Sequence, residues 1–160
     1  MEEKKITTSF GYYDSIDALP AEVKYLMQQA IEAREHAYAP YSKFKVGAAV
    51  LLDNGSVVKG SNQENAAYPT GLCAERVAVF SAGANFPGIT ILQIAITAAA
   101  NDYELTHPAT SCGACRQALM EYENKQDKPI EVFFMGASGK VIKTDSIANL
   151  LPLHFNSSYL

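Results

Sequence analysis

Cys73-Ala74-Glu75-Arg76 and Cys112-Gly113-Ala114-Cys115-Arg116-Gln117 hold all three cysteines of the chain. Three thiolates are one ligand short of a closed tetrahedral zinc site, and catalytic zinc sites keep that fourth place for water. A carboxylate two residues beyond the first thiol is placed to take a proton from such a water. Cys73, Cys112 and Cys115 are therefore the expected ligands of one Zn²⁺ per subunit, and Glu75 the expected catalytic base of a hydrolytic zinc enzyme. Three thiolates leave the centre net negative, which blunts the metal as a Lewis acid unless nearby cations or donors offset it. Arg76 and Arg116 are the candidates, and Arg76 is expected to hydrogen-bond a thiolate. Each half of the pattern is weak alone. Cys73 alone reads as a small buried hydrophobe, and Cys112-x-x-Cys115 alone as a redox dithiol or half a structural zinc knuckle. A structural site would want a fourth ligand, and His36, His107 and His154 stand at no ligand spacing from a cysteine.

The fold must bring the two cysteine groups together. From Pro20, apolar Val23, Leu26, Met27, Ala30, Ile31, Ala33 and Ala37 recur at three and four, predicting an amphipathic helix that ends before Pro40. Residues 46–52 and 57–61 flank Asp53-Asn54-Gly55-Ser56, the pattern of a hairpin. Residues 62–71 read as a loop, followed by a helix over about 73–82. Residues 89–98 are β-branched and nearly continuously apolar, suiting a buried central strand. A helix over 113–122, a strand over 130–135 and a last helix over 145–151, stopped at Pro152, complete the order. It predicts a three-layer α/β/α sandwich on a mixed, about five-stranded sheet with parallel crossover strands. One domain is expected over 19–160, preceded by an N-terminal extension over 1–18 that has no helical period. Each cysteine group then opens a helix, where the dipole lowers thiol pKa, and Cys112 and Cys115 share one turn.

Bulk properties narrow the partners. With 48% hydrophobic and 19% charged residues the chain suits a globular fold and not disorder. Its 17 acidic against 13 basic residues give a net charge of −4, without the basic footprint that nucleic-acid binding needs. The longest apolar run is too short and too interrupted to span a bilayer, and residues 1–5 lead into no signal-peptide h-region. Cysteines in this pattern suit metal binding in a reducing cytoplasm, so a cytoplasmic location is expected.

Cys-x-Glu followed by Cys-x-x-Cys matches the zinc-deaminase signature, with cysteine in place of the more familiar histidine. Residues 37–49 (Ala-Tyr-Ala-Pro-Tyr-Ser-Lys-Phe-Lys-Val-Gly-Ala-Ala), 62–68 (Asn-Gln-Glu-Asn-Ala-Ala-Tyr) and Leu150-Leu151-Pro152 with Phe155 extend the match over roughly residues 20–155. On these blocks the chain resembles the small homotetrameric cytidine deaminases. The resemblance implies hydrolytic deamination of cytidine, and of deoxycytidine, to uridine or deoxyuridine plus ammonia in pyrimidine salvage. It also implies that Phe44 packs on the pyrimidine face, Asn62 and Glu64 bind the ribose hydroxyls, and the Ala74 backbone meets the base edge. Phe155, with Tyr68 as a second candidate, would enter a neighbouring subunit's pocket in a homotetramer. A neutral nucleoside needs an aromatic or apolar wall and a few directional polar groups, which agrees. Ser111 departs from the signature, which usually has proline before the first cysteine of the pair, and the extension over 1–18 is a second departure. Alternative functions are deamination of another cytosine nucleoside, such as an aminonucleoside antibiotic, or a non-catalytic zinc-stabilised binding domain.

Overall fold

Successive residues of a strand point to opposite faces of a sheet, so a strand buried on both sides must be apolar throughout. The computed structural model describes residues 1–160 and is built on six strands and three helices. The strands are β1 (Gly11–Tyr13), β2 (Phe44–Leu52), β3 (Val57–Ser61), β4 (Ile91–Ala100), β5 (Glu131–Met135) and β6 (Val141–Thr144). The helices are α1 (Ala21–Glu35), α2 (Ala74–Asn85) and α3 (Gly113–Gln126). Ala48, Val50 and Leu52 of β2, Ile94 and Ile96 of β4, and Val132 and Phe134 of β5 join Ala78, Val79, Leu119 and Met120 in one core. Their strand neighbours Ala49, Ala95, Phe133 and Met135 pack with Val23, Leu26, Met27 and Ala30 of α1 in a second core. The predicted three-layer α/β/α sandwich is thus present, with α1 on one face and α2 and α3 on the other.

The strand order is β1-β6-β5-β4-β2-β3. Only β4 and β5 run parallel, joined by the crossover through α3, and the other pairs are antiparallel. The predicted hairpin forms: β2 pairs with β3, and Gly55 takes the left-handed conformation (φ 82°) that a side chain would disfavour.

Two sequence expectations need correction. The sheet has six strands, not about five, because β6 lies in a stretch that carried no strand assignment and β1 lies inside the N-terminal extension. Tyr12 pairs with Ile142 there, so part of residues 1–18 belongs to the sheet. The last helix is only a 3-10 turn, Ile147–Asn149, capped by the Ser146 side chain.

Two glycines let the helices approach the sheet closely, one on each face. A Cβ on Gly47 would strike the backbone of α1 at Ala30 and Arg34. One on Gly60 would stand 2.6 Å from the Ala74 carbonyl oxygen and 2.5 Å from the Ala78 nitrogen, both backbone atoms of α2. Gly60→Ala is expected to push the first turn of α2 off the sheet, at about 1–3 kcal/mol of overpacking. Because Cys73 is the N-cap of that helix, the variant should both melt earlier and retain less zinc after dialysis. An unchanged melting curve together with full zinc retention would show that the helix needs no such seat.

Candidate active site

Cys73 caps α2 and Cys112 caps α3, both in extended backbone with no side-chain cap of their own, while Glu75 and Cys115 lie in the first turns of those helices. Two helices that share a face of the sheet therefore present their N-termini to each other. The Cys73 and Cys112 Sγ atoms are 3.9 Å apart, and the three sulfurs all lie within 4.8 Å of one another. Tetrahedral Zn–S bonds of about 2.3 Å imply S···S edges of roughly 3.8 Å. The donor set therefore fits zinc in both chemistry and spacing, and no further His, Cys, Asp or Glu belongs to the cluster.

Electrostatics favour thiolate at one sulfur first. Hydrogen bonding from Cys115 lowers the Cys73 thiol to about 5, with help from Arg76 and Cys112 and against burial. The same contact, together with burial, pushes the Cys115 thiol up. A divalent cation among the sulfurs would draw off the remaining protons. Arg76 Nη2 donates to Cys73 Sγ at 3.7 Å, as expected of it. Arg116 does something else: its Nε donates to the Ser111 carbonyl at 2.9 Å and its Nη1 to the Leu150 carbonyl at 3.1 Å. It braces backbone and leaves the thiolates to Arg76.

Glu75 is 5% exposed. Burial pushes its carboxyl above the ordinary glutamate range, and the Cys73 charge pushes the same way. Its own backbone N–H, the Ser111 hydroxyl and the Cys115 thiol pull it back. A carboxylate made more basic in this way is better matched to carrying a proton near neutral pH.

Cys73, Glu75, Arg76 and Cys112 form one end of a cleft of about 760 Å³. Phe44, Val46, Ile96 and Ala98 supply apolar wall, and Tyr41, Asn62, Glu64 and Tyr68 also line it. Its size is that of a small-molecule site. The Asn62 side chain bridges the backbone of β2, accepting from Val46 N–H at 2.8 Å and donating to the Phe44 carbonyl at 2.9 Å. Glu64 Oε2 accepts from the Tyr41 and Ser42 amides at 2.9 and 3.3 Å. The Ser42 side chain is the main cause holding that carboxyl below its usual range, with burial opposing and both amides assisting.

Two expected residues do not themselves line this cleft. Ala74 is fully buried and is not part of the cleft lining. Phe155 lies outside the cleft, stacked on Tyr159 with ring centroids 5.4 Å apart, and its carbonyl accepts from Gln117 Nε2 at 2.9 Å. Residues that sequence reasoning left without a role include Gly60, Gln117 and Glu123. Gln117 sits in the quoted motif, but nothing local marks a partner 38 residues away.

Comparison with known proteins agrees with this geometry. The family model for the cytidine and deoxycytidylate deaminase zinc-binding region matches residues 20–127. The cytidine deaminase of Halalkalibacterium halodurans is 39% identical over 132 residues, 82% of this chain and 92% of that protein. That of Sporosarcina psychrophila is 37% identical over 139 residues, 87% of this chain and 95% of that protein. The crystal structure of cytidine deaminase from Burkholderia pseudomallei superposes with a TM-score of 0.72 at 41% identity, covering 86% of this chain and all of that one. With its three sulfurs and buried glutamate inside the matched region, the chain belongs to the zinc-binding cytidine and deoxycytidylate deaminase family.

Proposed function

We propose that this chain is a zinc-dependent hydrolase that deaminates cytidine, and deoxycytidine, to the corresponding uridine and ammonia. One observation carries it: three convergent thiols and a buried carboxylate close one end of a nucleoside-sized cleft with an apolar wall. Cys73, Cys112 and Cys115 would hold the ion, which would supply the Lewis acidity that makes a water nucleophilic near neutral pH. Glu75 acts as proton carrier, accepting a proton from the attacking water and delivering it to ring N3, which makes C4 electrophilic. Once the hydroxyl has added to C4, Glu75 takes the remaining proton from that hydroxyl and passes it to the exocyclic amino group, so that the C4–N bond breaks, ammonia leaves and a carbonyl forms at C4. Arg76 disperses negative charge on Cys73.

Phe44 packs on the pyrimidine face. Glu64 commits Oε2 to two amides, which leaves Oε1 for a ribose hydroxyl. Asn62 keeps one N–H beyond its bridge to β2 for the same purpose. The Ala74 backbone meeting the base edge, and Phe155 reaching a neighbour's cleft in a homotetramer, complete the proposed set. The catalytic unit is residues 19–160, with β1 of the preceding segment added as an edge strand of its sheet. Arg76 is the only basic residue in the cleft, and it is engaged by Cys73, which favours an unphosphorylated nucleoside over deoxycytidylate. No helix is long and apolar enough to cross a membrane, in keeping with a proposed place in cytoplasmic pyrimidine salvage.

Elemental analysis of the purified protein, paired with ammonia release from cytidine, deoxycytidine and deoxycytidylate, tests this. One zinc per chain with turnover of both nucleosides and little of the nucleotide is expected. A zinc-loaded protein that leaves cytidine unchanged would overturn it.

A further inference from the structure

The residue before Cys112 is a serine where the family signature usually carries proline, and its surroundings give that serine something to do. Ser111 is 3% exposed. Its carbonyl is held by Arg116 Nε at 2.9 Å, so the residue is fixed on the frame that presents Cys112. Its hydroxyl lies against the Glu75 carboxylate, yet closes no hydrogen bond of full geometry with any protein atom. A buried hydroxyl without a partner is rare, because desolvation then goes uncompensated. The adjacent group is a buried carboxylate, the strongest acceptor a neutral hydroxyl can meet. A small torsion of the serine side chain is the inexpensive way to satisfy both.

We propose that Ser111 is a positioning residue for deamination, its hydroxyl donating to one Glu75 oxygen and so keeping the other turned toward the cleft. A glutamate that carries a proton between two places must keep one oxygen on that route. A carboxylate tethered through its other oxygen spends less time in unproductive rotamers. A proline at this position would supply bulk behind Glu75 but no donor. Ser111 itself does not line the cleft, so removal of its hydroxyl should act on turnover and leave nucleoside binding alone.

This inference rests on the proposed deaminase function, and the experiment separates the two. Wild type, Ser111→Ala, Ser111→Thr and Ser111→Pro are assayed on cytidine, with zinc content measured for each and a crystal structure determined for wild type. The expected result is kcat lower by about tenfold in the Ala and Pro variants, with KM and zinc content unchanged and kcat near wild type in the Thr variant. The crystal structure should place Ser111 Oγ at hydrogen-bond distance from Glu75. The proposal is overturned by wild-type kcat in the Ala or Pro variant, by a Thr variant as slow as Ala, or by a loss that follows zinc content. If wild type leaves cytidine untouched, the deaminase function fails, and the Ser111 contact stands or falls on the crystal structure alone.

Discussion

Glu75→Gln is expected to keep its zinc and lose turnover by about a hundredfold to ten-thousandfold, the span that positioned proton transfer contributes. The amide has the carboxylate's shape, so the α2 first turn and the three thiols stay where they are. What it cannot do is accept a proton from water and give it up at the ring. The loss should be large because this carboxyl is buried and raised above its ordinary range, with burial as the main cause. No other carboxylate substitutes for it: Glu64, the other acid in the cleft, spends one oxygen on two backbone amides and is held below its usual range. Metal analysis and ammonia release on the same preparation decide the matter. Wild-type turnover in the Gln variant would remove Glu75 from the chemistry. A variant stripped of zinc would make it a structural support of the metal instead.

Glu123→Ala is expected to cost about 2–5 kcal/mol of stability, from the Ile130 and Ile147 amides stranded at roughly 1–3 kcal/mol each with partial relaxation, while Ala148 N–H keeps the Ser146 hydroxyl. The side chain is 7% exposed, and both oxygens are saturated. Oε2 accepts from Ile130 N–H and Ile147 N–H, each at 2.8 Å. Oε1 accepts from Ser146 Oγ at 2.6 Å and from Ala148 N–H at 3.2 Å. One carboxylate thus ties the last turn of α3 to the entry of β5 and to the 3-10 turn after β6. Thermal unfolding followed by circular dichroism should show a melting temperature lower by about 5–20 °C for a chain of this size. Glu123→Gln should fall between Ala and wild type, since its single oxygen serves one pair of donors while its NH₂ group opposes the other pair. Glu123 does not line the cleft, so the Ala variant should keep much of its activity well below its melting point. An Ala variant that melts with wild type would mean that water or repacking satisfies those donors.

The chemistry-bearing residues were readable in the sequence because their geometry is local. A helix N-terminus places residues two and three apart on the same first turn. Cys-x-Glu and Cys-x-x-Cys therefore specify their own relative positions once the helices form, and Cys73, Glu75, Cys112 and Cys115 do come together. The hairpin was readable for the same reason, since Asn54-Gly55 encodes its turn directly. So was the layered fold: long apolar strands, buried on both faces, alternate with amphipathic helices.

Tertiary structure alone decided the rest, wherever a residue's duty depends on a distant partner. Strands β1 and β6 have three and four residues, too few for a periodic signal, and exist because each pairs with a neighbour already in place. Gly60 looks like any strand glycine until α2 lies across it. Arg116 stands beside a zinc ligand in sequence but turns to two carbonyls, one of them 34 residues away. Glu123 reads as one more acid on a helix surface, yet two later segments of chain fold down onto it. Sequence spacing specifies what a single turn of backbone holds rigid; contacts between elements follow from packing, which no local pattern encodes.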